Sequence, residues 1–204
     1  MKSKEELRLL IENTIKLYGE DCSLNWINTY NITDMSELFY NLDPHNIDIS
    51  MWDVSNVTNM KSMFEYCHNF NSNLSKWNVS NVTNMRHMFE YCWNFNSDLS
   101  KWNVSNVKNM EFMFSGCHNF NSDLSNWDVS KVAGLQYMFH NCENFNSDLS
   151  KWNIYPFLRT IDNMFKGCKK FNSDLSNWDV YVKYMSNVFD NCDSLKKIPD
   201  WYKK

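Results

Sequence analysis

Glycine and proline are scarce, 4 and 3 in 204 residues, which excludes collagen-like and linker-like chains. An excess of one charge is also missing. Lys and Arg total 20 against 24 Asp and Glu, a net charge of −4, whereas nucleic-acid-binding domains present a strongly basic face. No run of about 18 apolar residues occurs, so no membrane span is expected; mean hydropathy is −0.57. The first residues alternate charges, and the apolar run Leu9-Leu10-Ile11 stops at Glu12. A signal peptide needs a longer apolar stretch and a small-residue cleavage site, so the expected location is intracellular. A Gly-rich phosphate loop, a Gly-x-Ser-x-Gly elbow and a His-Glu-x-x-His helix are all lacking, and no enzyme activity, cofactor or metal is expected.

Aromatic residues make up 16% of the chain, including nine Trp, too many for a disordered acidic chain. Trp recurs at Trp26, Trp52, Trp77, Trp102, Trp127, Trp152 and Trp178, in steps of 25 or 26 residues. Phe39, Phe64, Phe89, Phe114, Phe139, Phe165 and Phe189 form a second register. Cys67, Cys92, Cys117, Cys142, Cys168 and Cys192 follow the last six of these Phe at three residues. A period of this length marks a repeat array and is too short for a propeller blade.

One unit parses into two halves. Leu74-x-x-Trp77-x-Val79 ends with the alternation of a short strand, with Trp77 and Val79 inward and Lys76 and Asn78 outward. Met85, Met88, Phe89 and Cys92 recur at helical spacing after Thr83-Asn84, which predicts a helix of about two turns. Asn71, Asn96, Asn121, Asn146 and Asn172 share one register, where a side-chain amide can serve neighbouring backbone unit after unit. The thiols stand one per unit, without a second ligand at metal spacing, and read as small buried apolar groups. At the N-terminus, Leu7, Leu10, Ile11, Thr14, Ile15 and Tyr18 give one apolar face to a helix over Lys4 to Tyr18, with Ser3 as N-cap, Glu6 completing a capping box and Gly19 as stop.

The segment Val82-Thr83-Asn84-Met85-x-x-Met88-Phe89-x-x-Cys92-x-x-Phe95-Asn96-x-Asp98-Leu99-Ser100-x-Trp102-Asn103-Val104-Ser105 resembles the BspA-like leucine-rich repeats of the DUF285 type. The resemblance runs from about Trp26 to the C-terminus. It implies a right-handed leucine-rich solenoid used for protein recognition or adhesion, without catalytic residues. The expected fold is thus α/β: a leucine-rich-repeat-like right-handed solenoid of about seven 25-residue coils, with short parallel strands, short helices and an N-terminal capping helix. Expected boundaries are a capping helix and linker over 1–25, the repeat array over 26–193 and a half-repeat cap over 194–204.

The expected function is a non-catalytic, monomeric scaffold that binds a protein partner on the strand-lined face; a cell-surface adhesin is the alternative. The expected binding residues are Lys76, Lys101 and Lys151, flanked by Asp53, Asn78, Asn103, Asp128 and Asn153, with Tyr155 and Tyr181 as aromatic anchors. A second candidate surface is the patch Arg86, His87, Tyr91 and Trp93.

Overall fold

The computed structural model describes residues 3–154 and 158–203. It opens with helix α1, Lys4–Tyr18, whose N-cap Ser3 accepts a hydrogen bond from the Glu6 amide at 3.2 Å. Gly19 ends it at φ 86°, its amide donating to the Ile15 carbonyl at 2.8 Å. Leu7, Ile11 and Thr14 are the buried face; Tyr18, expected on that face, is exposed. Among the described residues no helix is long and apolar enough to cross a membrane.

The 25-residue repeat appears as hydrogen bonding between neighbouring units, and its local structure corrects the sequence expectation. The described residues hold α1, a 3-10 helix over Asp200–Lys203 and isolated parallel bridges such as Asn59↔Asn84 and Asn84↔Asn109, with no sheet. The α/β leucine-rich-repeat-like solenoid of short strands and helices is therefore not the fold. Over Met85 to Cys92, where a helix was expected, consecutive tight turns run instead. The Met88, Glu90 and Cys92 amides donate three residues back, to Met85, His87 and Phe89. The amides between them, of Met85, His87, Phe89 and Tyr91, donate to Asn109, Glu111, Met113 and Ser115 of the next unit. Half of the donors an α-helix would use internally thus point along the stack, while turns of i to i+3 spacing still bring Met85, Met88, Phe89 and Cys92 inward. Spacing of apolar residues alone does not separate the two arrangements.

Strands fail for a related reason. Leu74 to Trp77 and Val79 to Val82 are each closed into turns, the Trp77 amide donating to Leu74 at 3.1 Å and that of Val82 to Val79 at 2.9 Å. Trp77 and Val79 nevertheless point inward and Lys76 and Asn78 outward.

Each register stacks on itself through the core. Ring centroids of Phe64, Phe89, Phe114 and Phe139 follow one another at 5.5, 5.7 and 5.8 Å. The Trp register also carries a hydrogen bond: Trp77, Trp102, Trp127 and Trp152 donate their indole N–H to the carbonyls of Ile49, Leu74, Leu99 and Leu124 at 2.9 to 3.1 Å. Trp201 continues the row onto Leu175 at 2.8 Å. The first unit corrects the sequence register, because Ile27 is buried there and Trp26 is 62% exposed. Buried Cys92, Cys117 and Cys142 donate S–H to the carbonyls of Phe64, Phe89 and Phe114, each at 2.9 Å. All seven cysteines are free thiols. The Asn ladder is present on the outside of the stack, with the amides of Asn96, Asn121 and Asn146 donating to the side chains of Asn71, Asn96 and Asn121 at 2.8 Å.

Helix α1 closes the first unit. In the interior, the Met63 and Glu65 carbonyls receive amides from the preceding unit; the corresponding Leu38 and Tyr40 carbonyls have no preceding unit and receive the Arg8 guanidinium at 3.5 and 3.3 Å. Arg8 also donates to the Glu37 carbonyl, and Lys4 to the Ser36 hydroxyl at 3.0 Å. A cation with several donors satisfies acceptors that would otherwise lack partners.

Candidate functional site: an aromatic and imidazole face

The turn run requires left-handed residues at two positions per unit. Several units fill those positions with Asn41, Asn141, Asn163, Asn187, Asn191, Gly116 and Gly167, residue types that adopt this conformation at low cost, and the first units also place Glu37 and Ser62 there. The central units place rings there instead: Tyr66, His87, Tyr91, Phe112 and Tyr137 have φ between 58° and 62°. A bulky residue at positive φ carries strain, and such strain concentrates at functional sites.

The rings form rows outside the core. His87, Phe112 and Tyr137 stack at centroid distances of 4.8 and 4.6 Å, and Tyr66 and Tyr91 at 5.1 Å. Beside them His68 meets Trp93 edge-on at 4.0 Å, and Trp93 lies parallel to His118 at 6.3 Å. Trp93 is 45% exposed. Gly116 fits this arrangement twice over: its φ is +76°, and a Cβ there would meet the Tyr91 ring at 2.7 Å. Ion pairs border the rows, Arg86 with Glu111 at 3.1 Å and Lys61 with Glu37 at 3.9 Å. Burial holds the His140 imidazole below its ordinary range.

The residues expected at the binding face lie elsewhere on each unit. Lys76, Lys101 and Lys151 are exposed in one row, and Asp53, Asn78, Asn103, Asp128 and Asn153 in another. Four members of the second row already hold local turns: the Ser55, Ser80, Ser105 and Ser130 amides donate to Asp53, Asn78, Asn103 and Asp128 at 3.0 to 3.2 Å. Hydrogen bonds from Ser55 and Ser130 hold the Asp53 and Asp128 carboxyls below the usual carboxylate range. Tyr181 is exposed, and Tyr155 lies outside the described residues. Of the second candidate surface, His87, Tyr91 and Trp93 belong to the ring rows and Arg86 borders them. Tyr66, His68, Phe112, His118 and Tyr137 were missed; a column-by-column comparison of the units exposes them, because Phe112 and Tyr137 stand where Asn163 and Asn187 stand later. Among the described residues one group, Glu65, His87 and Glu90, brings three metal-type donors within 4.8 Å of one another.

A family model described as "Mycoplasma protein of unknown function, DUF285" matches residues 11–118 and again 89–203. No curated protein matches the chain.

Proposed function

The chain belongs to the DUF285 family of repeat proteins, and from that premise we propose that it is a non-catalytic recognition module that binds a protein through its aromatic and imidazole face. The observation that supports the reading is the set of rings at positive φ, where the same chain uses Asn, Gly, Ser or Glu in other units. Packing of the core does not require Phe112 or Tyr137, whose side chains lie outside the Phe and Trp registers. Tyr and Trp are enriched at binding hot spots, where a rigid ring buries much area at small entropic cost. The acidic balance of the chain and its polar rim favour a protein over a nucleic acid as partner. Kinship with the BspA-like branch is part of the proposal and rests on the Phe-x-x-Cys-x-x-Phe segment. Seven free thiols, six of them in one register, support a reducing compartment.

A comparative capture experiment tests the proposal. Trp93→Ala combined with Tyr66→Ala should abolish recovery of the partner that wild type recovers, with the melting temperature held within a few degrees. Lys76→Glu, Lys101→Glu and Lys151→Glu combined should leave it bound. The reverse pattern would move the site to the lysine row.

A further inference from the structure

Glu65 and Glu90 occupy the same register of adjacent units, and the His87 ring joins them from the position three residues before Glu90. The His87 Nδ1 is hydrogen-bonded to the Glu90 carboxylate. Donor atoms of all three side chains lie within 4.8 Å of one another, at the edge of a groove of about 420 Å³ lined by Lys61, Ser62, Glu65, Arg86 and His87 among others.

Charge balance makes this cluster unusual. Glu90 is only 7% exposed, and Glu65 is half-buried. Two carboxylates so placed repel each other and lose hydration together. Beside the groove, Arg86 lies 3.1 Å from Glu111 and Lys61 lies 3.9 Å from Glu37 while also acting on Glu65. The cluster presents two carboxylates and one imidazole, the donor types of a borderline divalent ion.

We propose that Glu65, His87 and Glu90 bind one divalent transition-metal ion, with two carboxylate oxygens and one imidazole nitrogen as its protein ligands. The ion neutralises the two carboxylates, and its remaining coordination positions face the groove. It ties adjacent units together at the place where the ring rows begin, so its loss should loosen both. The site is independent of the protein-binding reading, because its ligands serve charge and coordination whether or not a partner docks.

The test is titration of the chelator-stripped chain with Zn²⁺ at neutral pH, followed by calorimetry and by thermal melting. One equivalent should bind saturably and raise the melting temperature. His87→Ala and Glu65→Gln should each weaken binding at least tenfold while their melts in chelator stay close to wild type. Cys22→Ser and His118→Ala, which leave the cluster intact, should bind as wild type does. Co²⁺ in place of Zn²⁺ should give no thiolate absorption band. Absence of saturable binding, binding unchanged in both His87→Ala and Glu65→Gln, or a thiolate band would overturn the assignment.

Discussion

The indole N–H of Trp102 donates to the carbonyl of Leu74, 28 residues earlier, at 3.0 Å. The Trp register is thus a polar contact between units as well as an apolar one, and both parts lie in the buried core. Trp102→Ala should cost about 3–5 kcal/mol. Trp102→Phe keeps a ring but removes one of the two donors to the Leu74 carbonyl, which retains the Trp77 amide, at a cost of about 0.5–1.5 kcal/mol. Denaturant unfolding of both variants separates the two contributions; a Trp102→Phe variant as stable as wild type would show that the hydrogen bond adds nothing.

Thiol labelling should divide the cysteines into three classes. Burial pushes the Cys67 thiol up to about 12 and those of Cys92, Cys117, Cys142 and Cys168 well above their ordinary value. Each also donates to a carbonyl of the preceding unit. Cys22 and Cys192 are half-buried, and Cys192 is also pushed up to about 12. Cys22 should alkylate first, Cys192 next, and the other five only on unfolding. Mass spectrometry of timed samples reads the order directly.

Acid should weaken the turns that stack along the outside. Hydrogen bonds from Ser100, Ser125, Ser150 and Ser176 hold Asp98, Asp123, Asp148 and Asp174 below the usual carboxylate range. A carboxyl depressed in the folded state contributes stability above its unfolded value of about 3.9, and that contribution disappears as pH falls through the folded value. The melting temperature should therefore drop below about pH 4. Asn73 already holds the same turn, receiving the Ser75 amide at 3.0 Å, so Asp98→Asn with Asp123→Asn and Asp148→Asn should flatten that drop.

Gly116→Ala should destabilise by about 1–3 kcal/mol, since it adds a left-handed alanine and a collision with the Tyr91 ring. The collision predicts a rescue: Tyr91→Ala in the same chain should recover part of the loss. If Tyr91→Ala recovers none, the backbone conformation alone sets the cost.

Removing the Arg8 guanidinium should fray the N-terminal end selectively. Arg8→Ala removes the donor to the Leu38 and Tyr40 carbonyls, and a loss of about 0.5–1.5 kcal/mol is expected. Amide hydrogen exchange should rise in α1 and in the first unit, with the central units unaffected.

The apolar registers were legible because 25-residue recurrence places like residues on like residues whatever the local backbone does; Phe89, Cys92, Trp102 and Val104 all lie where their spacing put them. Backbone conformation was not. Met85, Met88 and Phe89 at i, i+3 and i+4 satisfy a helix and a chain of tight turns equally, and the deciding residues, the left-handed His87 and Tyr91, carry side chains that normally avoid that conformation. The same two residues hid the ring rows, because a sequence reader expects Asn or Gly where the chain turns left. Trp26 misled the register at the first unit for a simpler reason: it stands one residue before Ile27, which takes the buried place.

The amides of Met85, His87, Phe89 and Tyr91 all find their acceptors in the unit that follows. During synthesis that unit leaves the ribosome last, so along this run the newest complete turn always exposes four donors awaiting chain that has not yet been made. The opposite end is sealed from the outset, because Arg8 and α1 are translated before the carbonyls they cover. Growth of the stack is therefore vectorial: a finished end, a propagating end, and a fresh template offered every 25 residues.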